Sequence, residues 1–102
     1  MKDDLQLLAY GNSSVGGFKW YFMGIDHAEI AVVTSEQCYS DDDPKAWTVR
    51  SYSPGQKQDE WKHITGPRAQ RIVDACRTQT CDRHIDWTNK TAIRDLYWEY
   101  KE

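Results

Sequence analysis

No run of apolar residues in this chain approaches the roughly 20 needed to cross a bilayer as a helix. The opening Met1-Lys2-Asp3-Asp4 likewise has none of the apolar character of a secretory leader. The expectation is a cytoplasmic protein that stays where it is made and has no membrane partner. Cysteine is scarce and odd in number. Cys38, Cys76 and Cys81 read as reduced thiols and not as a disulfide framework, so the sequons at Asn12 and Asn89 count as chance. Positive charge is short as well, with 13 Lys/Arg against 16 Asp/Glu and a formal net charge of -3 at pH 7. That balance argues against a general nucleic-acid binder, which needs a clustered positive field to displace counterions from phosphates, yet it is too mild for a DNA mimic. No glycine fingerprint stands between a strand and a helix, which argues against a parallel nucleotide-binding sheet.

What is there suits one domain spanning residues 1–102. The apolar fraction is only 39%, but 13% of the residues are aromatic, so a few large rings should dominate the core. Acidity is concentrated early: residues 1–50 carry four Lys/Arg and eight Asp/Glu, whereas residues 51–102 carry nine and eight.

Periodicity yields strands over Leu5–Tyr10, Phe18–Met23, Ala28–Thr34 and Ala46–Tyr52, separated by turn-forming segments such as Gly11–Gly17 and Ser53-Pro54-Gly55. Phe18, Trp20 and Phe22 share one face of the second strand and a mixed set of Lys19, Tyr21 and Met23 the other. This strand pairs with the third as a hairpin at the centre of the sheet. Residues 56–62 read as an irregular connection. A helix opens near Thr65-Gly66-Pro67, with Ala69, Ile72, Val73 and Cys76 at helical spacing, and a second opens with Thr88 or Asn89 as N-cap and buries Ile93, Leu96, Tyr97 and Tyr100. Strands first and helices last is the order of an α+β fold: an antiparallel sheet of about four strands with two C-terminal amphipathic helices packed on one face.

Several constellations could carry chemistry. Cys76, Cys81 and His84 offer soft ligands, but a closed zinc site needs a fourth, from His63 or Cys38 at a distance, and its usual second close pair is missing. Cys76 therefore reads as a core residue, and no metal or cofactor is assigned. Asp26, His27 and Glu29 cluster at the hairpin turn without a nucleophile, as turn residues commonly do. Arg68, Arg71, Arg77 and Arg83 could grip phosphate, but Glu60, Asp74 and Asp82 interleave with them. Asp41-Asp42-Asp43 lacks the alternating ligands and bend glycine of a calcium loop, which leaves a solvated loop or an acidic finger docking on a basic groove.

Trp47, Trp61, Trp87 and Trp98 are flanked by polar or charged residues, so some should be partly exposed, and exposed tryptophan is a residue type that dominates interface energetics. The function expected is accordingly a small non-enzymatic protein-binding module. Its partner surface would comprise Asp41, Asp42, Asp43, Trp47 and Trp61, and its partner would be a larger host protein or nucleoprotein complex that it inhibits or modulates. In style the chain resembles the accessory proteins of phages and other mobile elements, without matching a particular family. The alternative is a small nucleic-acid-binding domain using Arg68, Arg71, Arg77 and Arg83, with zinc at Cys76, Cys81 and His84 as an added support.

Overall fold

In the computed structural model residues 5–12, 17–25, 29–40 and 42–101 are described. Residues 1–4, 13–16, 26–28, 41 and 102 lie outside the described residues, and with them the expectations placed on Asp26, His27, Ala28 and Asp41.

Four strands, β1 (Leu5–Asn12), β2 (Phe18–Ile25), β3 (Glu29–Glu36) and β4 (Trp47–Ser51), form one antiparallel sheet in the order β1-β2-β3-β4, with the β2–β3 pair at its centre. Helices α1 (Gly66–Thr78) and α2 (Lys90–Lys101) follow. The class is the α+β arrangement that strand-then-helix order implies. β2 and β3 run on to Ile25 and Glu36, while β4 starts one residue late because Ala46 closes a short 3₁₀ turn, Pro44–Ala46.

One part of the expectation is corrected. The two helices lie on opposite faces of the sheet, not on one. α1 sets Ile72, Val73 and Cys76 against Leu7, Met23, Ile25, Ala31, Val33 and Val49. α2 sets Ile93 and Leu96 against the alternate residues Trp20, Phe22, Ile30 and Val32, with Ala9, Trp61 and Ile85 in the same cluster. The physical reason lies in the central strands. Successive side chains point to opposite faces, and β3 is buried from Ile30 to Ser35, so both of its faces need cover. Each fully buried large apolar side chain, such as Phe22 or Ile30, contributes on the order of 1.5–3 kcal/mol. A sheet with one bare face would forfeit that contribution for every apolar side chain on the face.

β1 serves both cores through a bulge. Its register with β2 shifts between Leu7 and Ala9, so Leu7 joins the α1 side and Ala9 the α2 side although they are two residues apart. An unbroken strand would have put both on one face.

The outer edges of the sheet are occupied. Along β1, the Leu7 amide donates to Gln79 Oε1 (2.9 Å) and Gln79 Nε2 donates to the Leu5 carbonyl (3.1 Å). Further on, the Tyr10 amide donates to the Arg83 carbonyl (3.1 Å), and the Ile85 amide to the Tyr10 carbonyl (2.9 Å). Along β4, the Ser51 amide donates to the Lys62 carbonyl (2.8 Å) and the Ile64 amide to the Val49 carbonyl (2.9 Å). These pairings satisfy backbone groups that an open edge would leave to solvent or to another chain. Among the described residues, no helix is long and apolar enough to cross a membrane.

Candidate functional site

The sheet separates the residues expected to act together. Trp47 packs on the α1 side, its ring 5.8 Å from that of Tyr21, whereas Trp61 belongs to the α2-side core and is only 6% exposed. Asp42 and Asp43 stay near Trp47, around a small recess of about 190 Å³ in front of α1. Both carboxylates have local tasks. Asp42 Oδ1 accepts from Arg77 on α1 at 2.8 Å, and Asp43 Oδ1 accepts from the Lys45 amide at 2.9 Å, capping the 3₁₀ turn that leads into β4.

The arginines disperse as well. Arg77 is paired with Asp42, and Arg83 donates to Glu99 of α2 at 3.0 Å, which depresses the Glu99 carboxyl below its usual range. Cys76 is buried on α1, and burial pushes its thiol up to about 12. Cys81 and His84 sit in the α1–α2 connection, His84 with its ring edge-on to Tyr10 at 5.4 Å. Among the described residues, no group of three His, Cys, Asp or Glu is arranged to hold a metal ion.

The larger concavity, about 660 Å³, opens on the α2 side between the β4–α1 connection and the start of α2. It falls in the range of roughly 300–1,000 Å³ usual for small-ligand sites. Its lining includes Ile93, which is buried, and the rings of Tyr52, Trp61 and Trp87. Four separate stretches of chain place these side chains, each by an identifiable local device.

Tyr52 leaves β4 but still donates its amide to the Ile30 carbonyl at 2.8 Å, so its ring stays over the sheet. Trp61 ends a 3₁₀ turn, Gln58–Glu60, with its amide donating to the Gln58 carbonyl at 3.2 Å. Arg50 of β4 holds that turn down, because its Nη1 donates to the same carbonyl at 3.1 Å while its guanidinium lies 5.4 Å from the Trp61 ring centroid. Burial lowers the Arg50 pKa from its ordinary value, although arginine stays charged in proteins.

Trp87 is fixed by its neighbours in sequence. Asp86 Oδ1 accepts from both the Thr88 amide (2.9 Å) and the Thr88 hydroxyl (2.7 Å), and these bonds hold the Asp86 carboxyl below its usual range. The turn presents the Trp87 indole to that of Trp20, stacked 5.3 Å apart. Asn89 then caps α2, its Oδ1 accepting from the Ala92 amide at 3.0 Å.

The rings of the cleft contact further rings. Tyr52 lies edge-on to Trp61 at 5.1 Å and tilted against Tyr97 at 5.5 Å. Burial, with Tyr97 adding to it and Arg94 opposing, raises the Tyr52 phenol above its usual value, so at neutral pH it is an un-ionised O–H donor. Trp61 Nε1, Trp20 Nε1 and Arg50 Nε are buried without a hydrogen-bond partner among the described residues. Among the residues that line the cleft, Lys57, Lys90 and Arg94 outnumber the one carboxylate, Asp59, while Glu60, whose Oε1 accepts from the Lys57 amide at 3.0 Å, and Asp95, beside Arg94, stand just outside that lining.

Of this constellation the sequence marks Trp61 as a partner residue and Trp87 as a tryptophan among polar neighbours. Tyr52 and Ile93 carry only a strand and a helix signal, and no local pattern marks the cationic margin, whose residues come from two separate segments. Compared with family models, with curated proteins and with solved structures, the chain matches none.

Proposed function

We propose that the chain is a non-enzymatic protein-binding module whose contact with its partner centres on the α2-side cleft. The observation that carries this reading is the convergence of Tyr52, Trp61, Trp87 and Ile93, from four separate segments, around an open volume of about 660 Å³. Aromatic side chains around a pocket with a polar margin are the anatomy of an interface hot spot, where a few anchors supply most of the binding energy.

The acidic loop gains less support as the contact surface. Asp42 and Asp43 are engaged with Arg77 and with the Lys45 amide, and a docking finger would have to give up those bonds. The arginine reading loses two of its four cations to the pairs Arg77–Asp42 and Arg83–Glu99. The partner class stays as expected from the sequence, a larger protein.

The test is capture of a partner from lysate of the native cell by the tagged protein and by two variants. Thr91→Arg places bulk in the mouth of the cleft from an exposed position on α2, and Gln70→Arg does the same to the recess in front of α1. A stoichiometric protein that survives high salt, and is lost with Thr91→Arg but retained with Gln70→Arg, is the expected result. The reverse pattern would move the contact to the acidic-loop side. Recovery of nucleic acid that washes away with salt would favour the arginines instead.

A further inference from the structure

Resting on the cleft as the contact site, we infer that its occupant is an acidic segment of the partner protein that inserts one aromatic or branched apolar side chain between Tyr52, Trp61 and Trp87. The argument starts from charge. The chain as a whole is negative, at -3, with acidity concentrated in its first half. The lining of the cleft is a local exception, with Lys57, Lys90 and Arg94 against Asp59, and the Glu60 carboxylate beside it is turned back onto the Lys57 amide at 3.0 Å.

These cations are available. Lys57 and Lys90 are exposed and have no ion-pair partner among the described residues. Arg94 lies 3.8 Å from Asp95, both more than half exposed, a contact of the kind that contributes little in water. α2 begins at the same margin, with Lys90 and Thr91 as its first residues, so the partial positive charge of the helix start adds to the field. The un-ionised Tyr52 phenol supplies a hydrogen-bond donor beside Arg94. A carboxylate is the ligand group that all of these donors share.

The rings decide what accompanies the carboxylates. An aromatic and cationic cleft suits a nucleotide only where a ring face is free for a base to stack on. Here Trp61 is 6% exposed, Trp87 is stacked on Trp20, and Tyr52 is flanked by Trp61 and Tyr97. With one face of Trp87 taken by Trp20 and Trp61 almost wholly covered, the cleft has little ring face to give a base, whereas its apolar lining, Ile93 included, can be filled by a single apolar side chain. The net negative charge of the molecule also opposes a polyanion as a whole. An acidic peptide with an apolar anchor satisfies both halves of the site: the anchor supplies affinity, and the carboxylates supply steering and orientation.

The experiment titrates the isotope-labelled protein with four probes and follows the indole and backbone amide resonances. The probes are a short capped peptide with a central phenylalanine flanked by glutamates, its glutamine analogue, its lysine analogue, and a single-stranded DNA oligonucleotide. The expected result is that the glutamate peptide shifts the Trp61 and Trp87 indoles and the amides of residues 90–94, and binds at least about fivefold more tightly than the glutamine analogue. The double variant Lys57→Glu, Lys90→Glu, with an unchanged far-ultraviolet spectrum, should reverse the order of the glutamate and lysine peptides. Equal shifts from the glutamine or lysine peptide at the same residues overturn the acidic occupant and leave the cleft as a peptide site. Shifts from the oligonucleotide alone, or from no probe, overturn both the occupant and the cleft. Shifts of the same resonances on simple dilution would give the cleft to a second copy of this chain and overturn the acidic segment.

Discussion

The indoles of Trp20 and Trp87 lie face to face, their ring centroids 5.3 Å apart and their planes 7° from parallel. Trp20 belongs to β2 and Trp87 to the connection before α2, so this stack ties that connection to the centre of the sheet. Favourable aromatic pairs contribute about 0.5–1.5 kcal/mol beyond the area they bury. Urea unfolding of the wild type, Trp20→Phe, Trp87→Phe and the double variant should therefore give a coupling energy of about that size. A coupling indistinguishable from zero would reduce the pair to simple proximity.

Gly11 sits on β1 where a Cβ would meet the main-chain carbonyl oxygen of Ile85. The segment that carries this carbonyl is held against β1 by the Ile85 amide, which donates to the Tyr10 carbonyl at 2.9 Å, so it cannot draw back without straining that bond. Gly11→Ala should thus cost about 2 kcal/mol or more in denaturant unfolding. Gly55 offers the contrast: its φ is +84° but nothing lies within 4 Å of its Cβ position, so Gly55→Ala should cost about 1 kcal/mol, from backbone strain alone. Equal costs at the two positions would contradict the close approach of β1 to the segment 83–85.

The three thiols should separate by rate. Cys38 is exposed, Cys81 is half-buried, and Cys76 is buried with its thiol pushed up to about 12. An aromatic disulfide reagent at pH 8 should label Cys38 first and Cys81 more slowly, while Cys76 should react only when the fold opens. Mass spectrometry of the labelled peptides checks the order. Fast labelling of Cys76 in the folded protein would mean that α1 is not seated on the sheet as described.

Acid should loosen the α2 side first. The carboxyls of Asp86 and Glu99 are held below their usual values, by the two Thr88 bonds and by Arg83 respectively. A carboxyl depressed by folding contributes stability above its unfolded pKa and loses that contribution as pH falls through its folded pKa. Stability should accordingly be flat through neutral pH and decline once pH drops below the ordinary carboxylate range. Asp86→Asn should shorten that decline, measured as urea midpoints against pH. An identical acid profile in this variant would remove Asp86 from the account.

Much of the fold is legible in the residues because the turn and cap signals are local. Gly66-Pro67 opens α1, Asn89 caps α2, and the alternation in Phe18–Met23 marks a strand whichever way the rest of the chain runs. The placement of the helices is a different matter. Met23 and Tyr21 on the second face of β2, together with the unbroken Ile30-Ala31-Val32-Val33 of β3, already signal a sheet covered on both sides. The exposed Lys19 beside them makes the face of Lys19, Tyr21 and Met23 a mixed one and masks that signal. The cleft is harder still to see in advance. Tyr52, Trp61, Trp87 and Ile93 have no common spacing, and they meet only because the Tyr52 amide bond to Ile30, the Arg50 bond to Gln58, the Asp86–Thr88 turn with the Trp20 stack, and the Asn89 cap of α2 fix four separate segments. Polar neighbours mark four tryptophans of which some should be partly exposed, and they do not say which: Trp98 is exposed, while the Trp61 ring is covered by Arg50 and Tyr52.

The coverage of β1 and β4 by Gln79, 83–85 and 62–64 bears on how this protein would behave when crowded. A chain so rich in aromatic and β-branched strand residues is a ready substrate for cross-β growth once a strand flank lies open. The folded molecule has no such flank along the paired stretches of β1 and β4, so recruitment into fibrils must wait for a short segment to peel away. The rate of fibril growth would then track the local opening of those segments, and protecting them would slow growth even where overall stability is unchanged.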